Sequence, residues 1–408
     1  MHDSMINKTI AIAIGFMVFF AAGTAFIMLN EEETDHSPTI SVLAMVNAEG
    51  SGIFSKDKNL DINDKTGWGG KTFMTPGPGS IQHEMLKSMA QDFNMEFVSG
   101  TGSDKNTIYW AFVTVGNMDL SWATGAYDGG IAWEPWFTKI VTKYNAGNPY
   151  GPAAYSIATT DEIEPGHPCC MIAADNNFIN NNEELTIRFL LAYIDAVEWV
   201  NEAISDRNSN EYKALERVAW ETAFGGVGSP TSSSDKDMIW DAISNITYKY
   251  DIESGIVGYG LKKYTAELIN RFYDSGAIVT KLHDPVTFAD KLINYDMLSD
   301  ALDGWSSTTK QGIYYDPNQS SFGTLRLAVL QLDLHQIALR VAMDKDLFSG
   351  LDPSFPAGTS LFDAYGVNIS LAALQPNGPG VMNLFAAGEI DIGVLGLPPI
   401  AIRTVNGL

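Results

Sequence analysis

The sequence predicts an α/β fold with a parallel sheet and room for two lobes, and three observations lead there. Residues 323–408 run strand, helix, strand, helix, strand, helix by pattern, and such alternation implies parallel strands joined by helical crossovers. Strand patterns in both halves of the chain end in turns rich in Gly and Pro before a helix begins. The chain has 408 residues, 45% of them hydrophobic and 18% charged, which suits a globular protein large enough for two lobes.

In chain order, the first signal is an uninterrupted apolar run over residues 9–29, long enough to cross a bilayer as a helix. Lys8 precedes it and Glu31, Glu32, Glu33 and Asp35 follow, which orients the bulk of the chain outside the cell. The run is longer than a usual signal core and lacks a clear cleavage site, so it reads as an uncleaved single-pass anchor rather than a long signal peptide. Residues 31–39 form its linker.

Residues 40–47 read as a strand. Residues 70–75 read as another, running into Pro76-Gly77-Pro78-Gly79-Ser80 and an amphipathic helix over 81–93. Glycines there let the backbone approach a ligand, and Ser80 fits a helix cap, so the turn is a candidate anion cradle. Trp133 and Trp136 bracket Glu134 and Pro135, a pattern that fits a pocket wall or rim packing. Residues 167–173 read as a strand, 183–204 as a long amphipathic helix capped by Asn182, 206–300 as largely helical and 301–321 as a loop. In the final segment, 325–330, 369–374 and 390–395 are the strands, and Leu334, Ile337, Ala338, Val341 and Ala342 recur at helical spacing.

Net charge is −24, from 25 basic and 49 acidic residues. No basic cluster is present to neutralise phosphates, so nucleic acid is excluded as a partner. The two cysteines, Cys169 and Cys170, are adjacent; they are too close for ordinary disulfide geometry and read as an inert buried strand pair, with a vicinal bridge or a metal pair as the alternatives. The six histidines are scattered and no catalytic or metal-spaced motif is found. No enzymatic activity, metal or cofactor is therefore expected.

The blocks GKTFMTPGPGS, GGIAWEPW, PCCMIAADNNFINNNEELTIRFLLAYIDA and AGEIDIGVLGLPPIAI together resemble the ABC-importer substrate-binding proteins of the nitrate, sulfonate, taurine and thiamine-precursor group. The resemblance spans most of residues 40–408. It implies a type II periplasmic-binding-protein fold: two α/β lobes joined by two crossover strands, with a small organic anion or zwitterion held in the cleft and delivered to an ABC permease. The order of segments differs, because the family opens with what here is 324–343. The chain therefore reads as a circular permutant, with a truncated duplication forming a swapped dimer as the alternative. The expected divisions are an anchor at 1–30, a linker at 31–39, the first crossover region at 40–66 and lobe II at 67–165. The second crossover with the lobe I helices follows at 166–300, then a permutation linker at 301–323 and the opening units of lobe I at 324–408.

By matched position the resemblance implies ligand contacts from Gln331, Leu332, Asp333, His335, Asn377, Gly378, Gly396, Leu397 and Pro398 in lobe I. Lobe II would add Gly77, Gly79, Ser80, Trp133 and Glu134. Asp333 fits an anion poorly; it suits a helix cap, or else an amine or ring nitrogen, which points toward a zwitterion or a pyrimidine-like compound. Two other readings share the fold, an enzyme of the thiamine-pyrimidine synthesis type and a membrane-tethered sensor. The absence of a catalytic constellation favours a monomeric transport protein at the membrane, with its globular part outside the cell.

Overall fold

The protein is described by a computed structural model that covers residues 37–251 and 260–408. The apolar run at 9–29 lies outside these residues. Among the described residues, no helix is long and apolar enough to cross a membrane.

Two sheets organise the chain. The first has five strands in the order Ile40–Met45, Cys170–Asp175, Ile392–Gly396, Gly323–Ala328, Val367–Leu371. Its last three are parallel, as the βα alternation of the C-terminal segment predicts. Cys170–Asp175 runs antiparallel to both of its neighbours, so it joins the earliest strand of the described chain to the latest. Ile40–Met45 is buried at every position, which explains its near-continuous apolar sequence.

The second sheet has six strands, in the order Glu96–Ser99, Thr107–Phe112, Thr72–Thr75, Gly129–Trp133, Ser51–Ser55, Tyr155–Thr159. Ser51–Ser55 was expected in the first crossover region, but it pairs antiparallel with Gly129–Trp133 and Tyr155–Thr159. Lobe II therefore begins nearer residue 51 than residue 67. The small residues of this strand read as a turn, but they serve close packing: a Cβ on Gly52 would come within 2.5 Å of the Phe137 ring.

Two passages link the sheets and are stitched to each other. The backbone N–H of Cys169 donates to Asn47 O at 3.1 Å and that of Cys170 to Asn47 Oδ1 at 3.1 Å. Glu183–Ser205 is the long helix behind the first sheet, burying Leu185, Phe189, Leu190, Tyr193, Ile194, Val197 and Val200. Asn182 stands at its start, but the Asn182 amide donates to Phe178 O at 3.1 Å instead of capping.

The segment read as a loop at 301–321 has structure of its own. Helix Tyr295–Gly304 extends into it, and Trp305–Ser306 pairs with Gln311–Gly312. The Arg188 guanidinium lies over the rings of Tyr314 and Phe322, at 4.4 and 4.5 Å, so the end of this segment is held against the long helix. At the other side of the lobe, Thr39 Oγ1 donates to Leu408 O at 2.6 Å.

Candidate functional site

Between the sheets lies a cavity of about 210 Å³. Lobe II contributes Pro76, Pro78, Gly79, Ser80, Phe112 and Trp133 to its lining. Lobe I contributes Cys169, Cys170, Asp333, His335, Asn377 and Pro398, with further prolines at 379 and 399. Among the described residues lining it there is no Lys or Arg.

The lobe II wall follows from its turn. Gly77 and Gly79 adopt φ of 94° and 88°, a region that side chains other than glycine rarely occupy. The Gly77 N–H donates to Thr75 Oγ1 at 3.2 Å, which fixes the bend. Ser80 caps helix Ile81–Asp92 by accepting from the His83 N–H at 3.2 Å, while its own hydroxyl donates to Gly77 O at 2.9 Å. Phe112 lies against Gly77, where a Cβ would meet its ring at 2.6 Å, yet it remains 62% exposed.

The lobe I wall is more polar and almost wholly buried. Asp333 Oδ1 accepts the His335 backbone N–H at 3.0 Å, and its Oδ2 accepts the Gln336 amide at 3.3 Å. His335 Nε2 lies 2.8 Å from Gly50 O. A carbonyl only accepts, so Nε2 carries a proton and Nδ1 faces inward. There it sits 3.2 Å from Asp333 Oδ1 and 3.8 Å from Cys169 Sγ. Cys170 Sγ is 3.9 Å from Asp333 Oδ2.

These neighbours set the ionisation of the wall. Burial pulls the His335 imidazole down, but the Cys169 sulfur and the Asp333 carboxylate outweigh it and hold its pKa well above the usual value. A hydrogen bond from the Cys170 thiol and, against burial, the charge of His335 draw the Cys169 thiol down. Cys170 is pushed up by Cys169 and by burial.

Two lobe I helices also end at the cavity, Gly378–Ala386 and Leu397–Val405, and they offer it few donors. The Leu397 N–H is spent on Cys169 O at 3.1 Å, and Pro398 and Pro399 have none. The Gly380 N–H goes to the capping Asn377 Oδ1 at 3.0 Å. The lobe II turn spends its donors likewise, the Gly77 N–H on Thr75 Oγ1 and the Ser80 N–H on Gly77 O at 3.2 Å.

Of the residues expected at the site, the structure brings Gly79, Ser80, Trp133, Asp333, His335, Asn377, Gly378, Gly396 and Pro398 to one cavity. Gly77, Gln331, Leu332, Leu397 and Glu134 do not line it. Gln331 is exposed, and its backbone N–H is bonded to Gln375 O. Leu332 turns away at a φ of 50°, Leu397 belongs to the core, and Phe112 lies over Gly77.

Glu134 is fully buried elsewhere. Its Oε1 accepts from Thr138 Oγ1 and from Asn245 Nδ2, both at 2.8 Å, and its Oε2 from the Thr138 N–H at 3.2 Å. Burial pushes its carboxyl up to about 7 against these hydrogen bonds. Since Asn245 follows a lobe I helix, Glu134 clasps the lobes together. Lys139 assists by donating to Ala223 O and Phe224 O at 3.4 Å.

The sequence reading missed Cys169, Cys170 and Phe112. The cysteines carry a visible signal in being adjacent, but nothing in the sequence announces the histidine 166 positions away from Cys169.

A two-lobed α/β body with a cavity between its sheets is the frame within which this chain finds its relatives. The family model described as NMT1-like family matches residues 14–217, half of the chain, and the protein belongs to that family. No curated protein matches it. Among solved structures, the periplasmic nitrate-binding protein of Synechocystis PCC 6803 is 15% identical with a TM-score of 0.46, over 68% of this chain and 70% of that one. A putative sulfonate-binding protein of Methylobacillus flagellatus KT is 15% identical with a TM-score of 0.42, over 70% and 74%. The ligand-binding component of an ABC-type import system from Staphylococcus aureus, solved with zinc bound, is 13% identical with a TM-score of 0.41, over 65% and 75%. With scores this low, none of these likenesses bears on what the cleft holds.

Proposed function

We propose that the protein is the extracytoplasmic solute-binding component of an ABC importer, capturing a small organic anion or zwitterion between its lobes and passing it to a membrane permease. One observation carries this reading: the interlobe cavity sets a glycine-rich turn at a helix N-terminus opposite a buried carboxylate, Asp333. An acidic group of the solute suits the first, an amine or ring nitrogen suits the second, and Trp133 and Phe112 offer flat apolar faces between them. Membership of the NMT1-like family and the sequence blocks quoted above support it. So does the lack of Lys and Arg in the lining, which disfavours a bare inorganic anion. The apolar run at 9–29 would tether the body to the membrane.

Thermal-shift measurements with sulfonates, taurine, nitrate, amino acids and pyrimidines test the reading, because a ligand bound only by the folded state raises the unfolding midpoint. A shift with at least one zwitterion and none with nitrate is expected. No shift with any of these classes would overturn it.

The same reading includes a circular permutation of the family order. The contact between Thr39 and Leu408 supports it, and so does one chain's supplying both walls of the cleft. A rearranged chain that starts at Thr324, runs from Leu408 directly into Thr39 and ends at Gly304 is expected to fold as a monomer with unchanged ligand preference. If it instead sediments as a dimer or fails to fold, the swapped-duplication alternative gains.

A further inference from the structure

We infer that the floor of the cleft binds a thiophilic divalent cation of the Zn²⁺ class through Cys169 Sγ, Cys170 Sγ and His335 Nδ1. All three side chains are buried, and their donor atoms lie within 4.8 Å of one another. With bonds of roughly 2.3 Å to sulfur and 2.0 Å to nitrogen, two such donors on one tetrahedral ion sit about 3.5 Å apart. The observed separation of Cys169 Sγ and His335 Nδ1 is 3.8 Å, so this pair needs almost no movement to share an ion.

The surroundings hold the donors in place. The bond between His335 Nε2 and Gly50 O commits Nδ1 to the inward side, the same device by which proteins orient metal-binding histidines. Gly50 has a φ of 85° and a Cβ there would lie 2.5 Å from His335 Nε2, so the close backbone approach depends on glycine. The cysteines are fixed through their main chain: the Leu397 N–H donates to Cys169 O, and both cysteine N–H groups bond to Asn47.

The donor set also selects the ion. Two sulfurs and an imidazole favour zinc-like ions, whereas Mg²⁺ and Ca²⁺ take oxygen ligands. Asp333, whose Oδ1 is 3.2 Å from Nδ1, supplies charge balance beside the ion. Uptake displaces the thiol protons, and any proton on Nδ1, to solvent. Cys169, Cys170 and His335 all line the cavity, so the proposed ion's fourth position is assigned to the cavity side. That a solute atom fills it rests on the solute-binding reading; the ion site itself does not.

The test uses the full-length chain, reduced and stripped of metal. Equilibrium dialysis is expected to find one Zn²⁺ per chain, and Co²⁺ in its place to give thiolate-to-cobalt charge-transfer absorption. Zn²⁺ is expected to slow iodoacetamide alkylation of both cysteines by more than about tenfold. Cys169→Ser and His335→Gln should each weaken Zn²⁺ binding by more than the roughly 10–100-fold that loss of a merely orienting partner costs. His283→Gln, at an exposed site, should leave binding unchanged.

A cobalt complex without charge-transfer absorption, unchanged alkylation, or binding that survives both substitutions would overturn the inference. Should the variants fail to fold, the wild-type spectrum and alkylation rates decide alone. Thermal shifts with organic solutes in the presence of EDTA separate the two proposals. Solute shifts without a metal site sink this one only, and a metal site without solute shifts sinks the other only.

Discussion

The two walls of the cleft are built on opposite plans. Lobe II presents shape: a glycine turn at positive φ, prolines and two aromatic faces, with Ser80 already occupied in capping its own helix. Lobe I presents chemistry: two sulfurs, an imidazole and a carboxylate, each within 4 Å of another. The contrast suggests a division of labour in which lobe II sets the size and flatness of what enters and lobe I sets its charge and donor atoms. Closure is assigned to neither wall, since Glu134 and Lys139 join the lobes beside the cavity rather than in it.

Substitutions can break this contrast, and the largest effect is expected at Gly50. Gly50→Ala places a side chain at positive φ and drives it into His335, which should cost about 3 kcal/mol in urea unfolding and disturb only the lobe I wall. Wild-type stability would place the strain estimate and the role of Gly50 in error.

Glu134 comes next. Glu134→Ala leaves Asn245 and Thr138 without their buried acceptor and should cost about 2–3 kcal/mol. Glu134→Gln isolates the ionisation. Below pH 4.5 both folded and unfolded chains hold this proton; between 4.5 and about 7 only the folded chain does. The Glu134 contribution to stability is thus full below 4.5, falls as pH rises through that window and is flat above it. Unfolding curves across the window should show that fall shrink in Glu134→Gln, and an identical slope would remove Glu134 from the account.

The smallest effect is expected on the lobe II wall. Trp133→Ala should weaken a ring-bearing solute by roughly tenfold in calorimetry while hardly changing a solute without a ring. Equal losses for both would mean that the wall does more than select flatness.

The same contrast governs what could be read from sequence. The lobe II wall is local: turn, cap and helix follow one another over residues 76–92, and each has its own sequence signal. The lobe I wall is assembled from distant pieces, with Cys169 brought to His335 only when Ile392–Gly396 pairs on one side with Cys170–Asp175 and on the other with Gly323–Ala328. Two cysteines side by side therefore read as inert packing.

Adjacent residues also divided in ways that motif matching does not resolve. Trp133 lines the cavity and Glu134 is buried against Asn245, because successive side chains at a strand end point to opposite sides. Of the three parallel strands, Ile392–Gly396 is buried almost throughout and leaves an apolar run, whereas Gly323–Ala328 and Val367–Leu371 are partly exposed and were legible from the helix-and-turn pattern around them. Ser51–Ser55 was not, because its small residues answer to the Phe137 ring packed over Gly52.

The interleaving of the first sheet has a consequence for a severed chain. Cys170–Asp175 is hydrogen-bonded on one side to Ile40–Met45 and on the other to Ile392–Gly396, while Arg188 grips Tyr314 and Phe322 across the connecting segment. A nick in the hairpin between Ser306 and Gln311 would yield two polypeptides that divide the five-stranded sheet between them, while the six-stranded sheet stays whole in the first. Each carries strands on which the other's register, so the two pieces are expected to reassemble the cleft on mixing.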